Sequence, residues 1–96
     1  IQHIPMQPDT AYHLAGRIKC SAPTKNISIA VAEFIGSRVV RMHKIGGDDQ
    51  ASPNEWQRYE TTFTTGSGSR HYAVYLYNVH NDGKAWYDDI ELKRIQ

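Results

Sequence analysis

Almost every long stretch of this chain alternates apolar and polar residues with a period of two, and clusters of Gly, Pro, Asn and Ser separate the stretches. Successive strand side chains point to opposite faces, so a period of two is the signature of a half-buried strand and leaves little room for a helix. In "TAYHLAGRIKC", Tyr12, Leu14, Gly16, Ile18 and Cys20 fall in one phase and His13, Ala15, Arg17 and Lys19 in the other. "NISIAVAEF" puts Ile27, Ile29 and Val31 together, and "WQRYETTFTT" does the same for Tyr59, Thr61 and Phe63. "RHYAVYLYNV" sets Tyr72, Val74 and Leu76 against Ala73, Tyr75 and Tyr77. "KAWYDDIELKRI" closes the chain with Trp86, Asp88, Ile90 and Leu92 in one phase.

Between these runs lie "SAPTK", "IGS", the polar loop "GGDDQASPNE", "GSGS" and the hairpin signal "HNDG". "RVVRMHKI" follows "IGS" as a further strand, and no window shows a capped helical period. Six short strands with turns between them predict an all-β antiparallel sandwich or barrel. The opening "IQHIPMQPD" is a candidate further strand ending at a Pro8-Asp9 turn. Ninety-six residues make one domain, over 1–96.

The formal charge of +1 does not suggest a polyanion-coating protein, and the expectation is no nucleic-acid partner. The longest apolar run is far short of the ~20 residues that span a bilayer, and the expectation is no membrane partner. The single Cys20 forms no internal disulfide, and no Cys pair or His-Glu-x-x-His motif supports a zinc site. A start at Ile1 predicts a chain processed or excised from something longer.

Three motifs occur in order: "Q-x-I-P-x-x-P-D-T-x-Y-x-L-x-G-x-I-K" (Gln2 to Lys19), "E-W-Q-R-Y-E-T-T-F-T" (Glu55 to Thr64) and "W-Y-D-D-I-E-L" (Trp86 to Leu92). Together they resemble the carbohydrate-binding modules of the family 4, 9 and 22 type, which are galactose-binding-like jelly rolls. The resemblance implies a secreted, non-catalytic module that binds a polysaccharide and targets an attached glycan-active enzyme. Such modules usually begin with two more strands. Their absence here leaves an edge or part of the core uncovered, for which dimerisation or strand exchange is one remedy.

The resemblance also implies sites. It places a structural Ca2+ near Asp88, an inward-phase carboxylate of the type calcium takes; the bland alternative is an Asp hydrogen-bonded to backbone amides or solvated at a strand end. Asp89, in the opposite phase, faces solvent. Tyr75 and Tyr77 share an outer face with Cα atoms ~7 Å apart. There they stack on sugar rings or form an ordinary exposed Tyr ladder. Neither is assigned to the core, so truncating them is expected to leave the fold intact. His13 and Arg17 line the same sugar cleft by resemblance, with Lys19 further out; the alternative is a solvated basic face. Trp56 and Trp86 read as packing, and Tyr12, Leu14, Ile18, Phe63, Val74, Leu76, Ile90 and Leu92 as core. "SRVVRMHKI" is either a basic strip for an acidic glycan or a charged edge strand.

Glycoside hydrolysis needs two facing carboxylates, whereas Glu33, Glu55, Glu60 and Glu91 are scattered and Asp88 and Asp89 are adjacent in a strand. The chain is therefore expected to be no enzyme itself. Two alternatives stand beside the binding module. One is a small jelly-roll polysaccharide lyase drawing on Tyr75, Tyr77, His13 and Arg17. The other is a structural sandwich packing within a larger glycan-active enzyme, which a large apolar patch on the Tyr75/Tyr77 face would indicate.

Overall fold

The computed structural model describes residues 2–3, 5–21, 27–46, 54–68, 70–78 and 84–95. The expected breaks at "SAPTK" beyond Ser21 and at "HNDG", and most of the "GGDDQASPNE" loop, lie outside the described residues.

Seven strands and no helix make up the described chain: β1 (Gln2–His3), β2 (Ala11–Cys20), β3 (Ile27–Ile35), β4 (Arg38–Gly46), β5 (Gln57–Thr64), β6 (His71–Asn78) and β7 (Ala85–Ile95). They form two antiparallel sheets, one ordered β1-β6-β3-β4 and the other β5-β2-β7. The sheets pack face to face, so the protein is the all-β antiparallel sandwich that the alternation predicts. The opening segment contributes the two-residue β1 and then turns at Asp9, whose φ is 53°.

The core lies between the sheets. Leu14, Ile18 and Cys20 of β2 meet Ile27, Ile29 and Val31 of β3, with Tyr12, Ile45 and Tyr72 at its margins. Each fully buried Leu, Ile or Val contributes about 1.5–3 kcal/mol relative to exposure. The two central strands approach closely at Gly16, where an added Cβ would sit 2.5 Å from Ile29 Cδ1.

Strand β7 departs from strict alternation. Ala15 of β2 faces Glu91, but Arg17 faces Asp88, so Asp89 and Ile90 together oppose Gly16 in a β-bulge. Asp89 carries the extra residue's backbone, with φ 51°, and its amide donates to Asp88 Oδ1 at 2.9 Å. The bulge reverses the phase along the strand. Trp86 and Asp88 therefore stand outward beside Lys19 and Arg17, not inward, while Leu92 beyond it faces Leu14 and the core. The single inward phase expected for Trp86, Asp88, Ile90 and Leu92 is corrected accordingly.

Three other core assignments also change. Leu76 keeps the inward phase, opposite Ile29, yet is 50% exposed, and Ile90 is 41% exposed. Both lie where, among the described residues, β6 and β7 have no partner strand on one side: β1 pairs with Ala73 and Val74 of β6. Trp56 is partly exposed at the surface, with Arg17 and Lys19 near its ring.

Candidate functional site

The outer face of the β5-β2-β7 sheet carries a dense set of charges. Along β2 it presents His13, Arg17 and Lys19. Register places Arg58 of β5 and Asp88 of β7 on either side of Arg17, Glu60 and Glu91 on either side of Ala15, and Trp86 beside Lys19. His13 Nε2 lies 3.0 Å from Glu60 Oε1, and Arg58 also pairs with Glu60. The His13 hydrogen bond, and after it Arg58, hold the Glu60 carboxyl below its ordinary pKa. Arg17 Nη1 meets Asp89 Oδ2 at 3.1 Å, and Lys93 Nζ meets Glu91 Oε1 at 3.0 Å.

At one end of this face two tryptophans and two cations converge. The Arg17 guanidinium lies 5.2 Å and Lys19 Nζ 5.5 Å from the Trp56 ring centroid, and Lys19 Nζ lies 5.0 Å from that of Trp86. Such contacts are attractive because the ring face is the negative side of its quadrupole. Lys19 makes no salt bridge among the described residues, so its charge is not neutralised there. The alternation of β2 already set Arg17 and Lys19 on one face. What it lacked was the bulge that turns Trp86 out to join them.

The opposite face, on the β1-β6-β3-β4 sheet, is built differently. Along most of its length its middle strand offers the small Ser28, Ala30 and Ala32, all buried, and Phe34 follows near its end. Tyr77 and Tyr75 stand beside Ser28 and Ala30 on β6, and Lys44 and Met42 stand beside Ala30 and Ala32 on β4. The tyrosines lean across the small residues, and the Tyr77 hydroxyl reaches Met42 Sδ at 3.8 Å. Tyr75 and Tyr77 stack on each other at 5.6 Å, Tyr75 meets Phe34 at 6.3 Å, and Lys44 Nζ sits 5.6 Å from the Tyr77 ring. The row Lys44–Tyr77–Tyr75–Phe34 thus turns its ring faces toward its own members.

Tyr75 and Tyr77 therefore lie on one outer face of the sandwich, and His13 and Arg17 on the other. One cleft does not hold all four. Asp88 is exposed and accepts the Asp89 amide, and among the described residues no group of three or more His, Cys, Asp or Glu gathers to hold a metal ion. The described side chains thus do not fit the calcium that the resemblance implies at Asp88.

Sequence reading passed over a buried carboxylate. Glu33 shares the inward phase of Ile27, Ile29 and Val31 and is 0% exposed. His43 Nε2 lies 2.5 Å from its Oε2, the Gly66 amide donates to its Oε1 at 2.9 Å, and Arg70 Nη1 is 3.5 Å from the same oxygen. The neighbouring Tyr72 phenol is pushed above its ordinary pKa, first by burial and then by the Glu33 charge. Partners from β4 and from the segment before β6 compensate the carboxylate, so it joins elements distant in sequence.

No protein-family model matches the chain. Similarity runs instead to tRNA nucleases. The tRNA(Glu)-specific nuclease WapA of Bacillus subtilis subsp. natto (strain BEST195) is 31% identical over 99 residues, and the tRNA nuclease WapA of Bacillus subtilis (strain 168) is 28% identical. The tRNA3(Ser)-specific nuclease WapA of Bacillus spizizenii is 27% identical. Each match covers 97% of this chain and 4% of the relative, so the chain spans a small part of these proteins.

These matches overturn the resemblance to carbohydrate-binding modules and what was built on it: the polysaccharide partner, the absence of a nucleic-acid partner, the glycoside-hydrolase appendage and the non-enzyme assignment. The physical reason is visible in the motifs. Much of what carried the resemblance is the grammar of a sandwich: Tyr12, Leu14 and Ile18 are core, and Asp89-Ile90 is a bulge.

Proposed function

We propose that this chain is a β-sandwich unit of a tRNA-directed nuclease, and that it contacts RNA through Arg17, Lys19, Trp56 and Trp86. The observation that carries this reading is the convergence of two cations on two partly exposed indole rings. Single-stranded and looped RNA is held by cations on phosphates and by unstacked bases on aromatic rings. The similarity to proteins named tRNA nucleases supports the choice of polymer. Glu60, Asp88, Asp89 and Glu91 on the same face offset most of its positive charge, so the contact involves few phosphates and modest affinity.

The test is a fluorescence titration of a labelled tRNA with the 96-residue chain at several salt concentrations. Binding is expected to weaken with salt at a slope of about one to two phosphates, and Arg17→Gln/Lys19→Gln to flatten that slope. Trp86→Ala is expected to weaken binding by about 1–3 kcal/mol. Absence of binding at low salt, or binding indifferent to these substitutions, overturns the reading.

One further observation favours a second role on the same face. The His13–Glu60 pair, with Arg58 and Arg17 nearby, joins a proton carrier to an orienting carboxylate beside cations suited to a phosphodiester. Cleavage of tRNA by the chain, lost in His13→Ala, would establish this acid–base role. An uncleaved tRNA limits the face to binding.

A further inference from the structure

The β3–β4 hairpin ends in exposed aliphatic side chains. Ile35, Val39 and Val40 are 52, 45 and 37% exposed, and Phe34 pairs with Val39 just behind them. Single exposed aliphatics are ordinary, but here three lie within six residues and give the tip apolar side chains on both faces of the hairpin. Pairing with β6 stops at Phe34, opposite His71, so Ile35 to Arg38 extend past the neighbouring strand. Gly36 makes the turn with φ 63°, and an added Cβ there would meet nothing within 4 Å. The tip stands clear of the rest of the molecule.

Its charge has one sign. Residues 34–44 contain Arg38, Arg41 and Lys44 and no Asp or Glu. The Arg41 guanidinium lies 3.5 Å from the Thr64 carbonyl, and neither Arg38 nor Arg41 forms a salt bridge among the described residues. Glu33, the acid next in sequence, is buried on His43 and the Gly66 amide. Asp9, toward the same end, accepts from the Ser67 hydroxyl.

We propose that this hairpin tip docks on an anionic lipid surface. Ile35, Val39 and Val40 enter the boundary between headgroups and acyl chains, and Arg38 and Arg41 engage the lipid phosphates. A bilayer offers a negative layer above an apolar one, which suits a tip where Arg38 stands across from Ile35 and Arg41 follows Val39 and Val40, because long arginine side chains reach back to the phosphates while the aliphatics enter. RNA has the negative charge but no apolar layer for Ile35 and Val40. The surface is separate from the Arg17–Trp86 strip and does not depend on the RNA reading.

The test is cosedimentation of the 96-residue chain with phosphatidylcholine vesicles and with vesicles containing phosphatidylglycerol. The chain is expected to pellet with the anionic vesicles and to stay in solution with the neutral ones. Arg38→Gln/Arg41→Gln is expected to lower the anionic partition about thirtyfold. Ile35→Thr/Val39→Thr/Val40→Thr keeps β-branched residues in the hairpin and is expected to lower it at least tenfold. Should that variant lose its circular dichroism signal, the arginine variant carries the test. Arg17→Gln/Lys19→Gln is expected to bind vesicles as the parent does, which separates this surface from the RNA strip. Equal binding to neutral vesicles, no binding by the folded chain, or indifference to the arginine substitutions overturns the proposal. So does self-association through the tip, which would make it a protein contact.

Discussion

The two outer faces of the sandwich both carry aromatic rings, yet they use them in opposite ways. On the four-stranded sheet, Tyr75 and Tyr77 fold over Ser28, Ala30 and Ala32, and their faces are taken up by one another, by Phe34 and by Lys44. On the three-stranded sheet, Trp56 and Trp86 stand among Arg17 and Lys19, partly open to solvent. The difference follows from the strand beneath. A central strand of small residues leaves space that tall neighbours fill by leaning inward, which makes a second apolar layer outside the core. A central strand of long cations instead holds the rings up as part of a polar surface. Aromatic content alone therefore does not define a recognition face.

The comparison can be broken most directly by truncating the rings. Tyr75→Ala/Tyr77→Ala is expected to cost about 2–4 kcal/mol, because it uncovers the small residues of β3. The melting temperature should fall by roughly 10–30 °C for a domain of this size. A protein that melts within a few degrees of the parent would show that the tyrosines are a surface ladder after all. This reverses the expectation from sequence that the fold tolerates their loss.

Between the faces, Gly16→Ala probes how closely the sheets approach. Its Cβ would press on Ile29 Cδ1, so a loss of about 1–3 kcal/mol in urea denaturation is expected. Trp86→Ala, on the open face, should change stability by less than about 1 kcal/mol while weakening tRNA binding. A large stability loss there would make Trp86 a packing residue like the tyrosines.

Two titrations sharpen the picture further. The Tyr72 pKa is raised in the folded state, so its contribution to stability is present below the unfolded value and is lost as pH rises through the folded one. Stability should therefore decline in alkaline solution, and Tyr72→Phe should blunt that decline. The smallest expected effect concerns Glu60, whose pKa is lowered. Its contribution is present above the unfolded value and lost as pH falls through the folded one. His13→Ala should move the Glu60 titration, followed by carboxyl carbon NMR, back toward the ordinary range.

Much of the fold was legible because alternation is a local signal. Tyr12, Leu14 and Ile18 read as core from their phase and are buried, and Ile27, Ile29 and Val31, which share a phase on β3, are buried as well. Three things could not. Phase says which residues share a face of one strand, but not which sheet the strand joins, so His13 and Arg17 were grouped with Tyr75 and Tyr77 although the two pairs lie on opposite sides. A bulge has no periodic signature, so Trp86 and Asp88 were assigned to the wrong side. Glu33 sat in an apolar phase, but its partners His43, Gly66 and Arg70 come from other elements. The cation–indole strip was half legible: Arg17 and Lys19 share a phase, and both tryptophans arrive from elsewhere in the chain.

The bulge at Asp89 has a consequence for neighbours. Strand β7 is long and lies at the border of its sheet, the kind of exposed ribbon that recruits other chains into extended, insoluble ladders. A residue with positive φ in its middle twists that ribbon and interrupts the even row of amides and carbonyls a second ribbon would need. A misfit of one residue in that ribbon helps keep copies of this chain from pairing edge to edge.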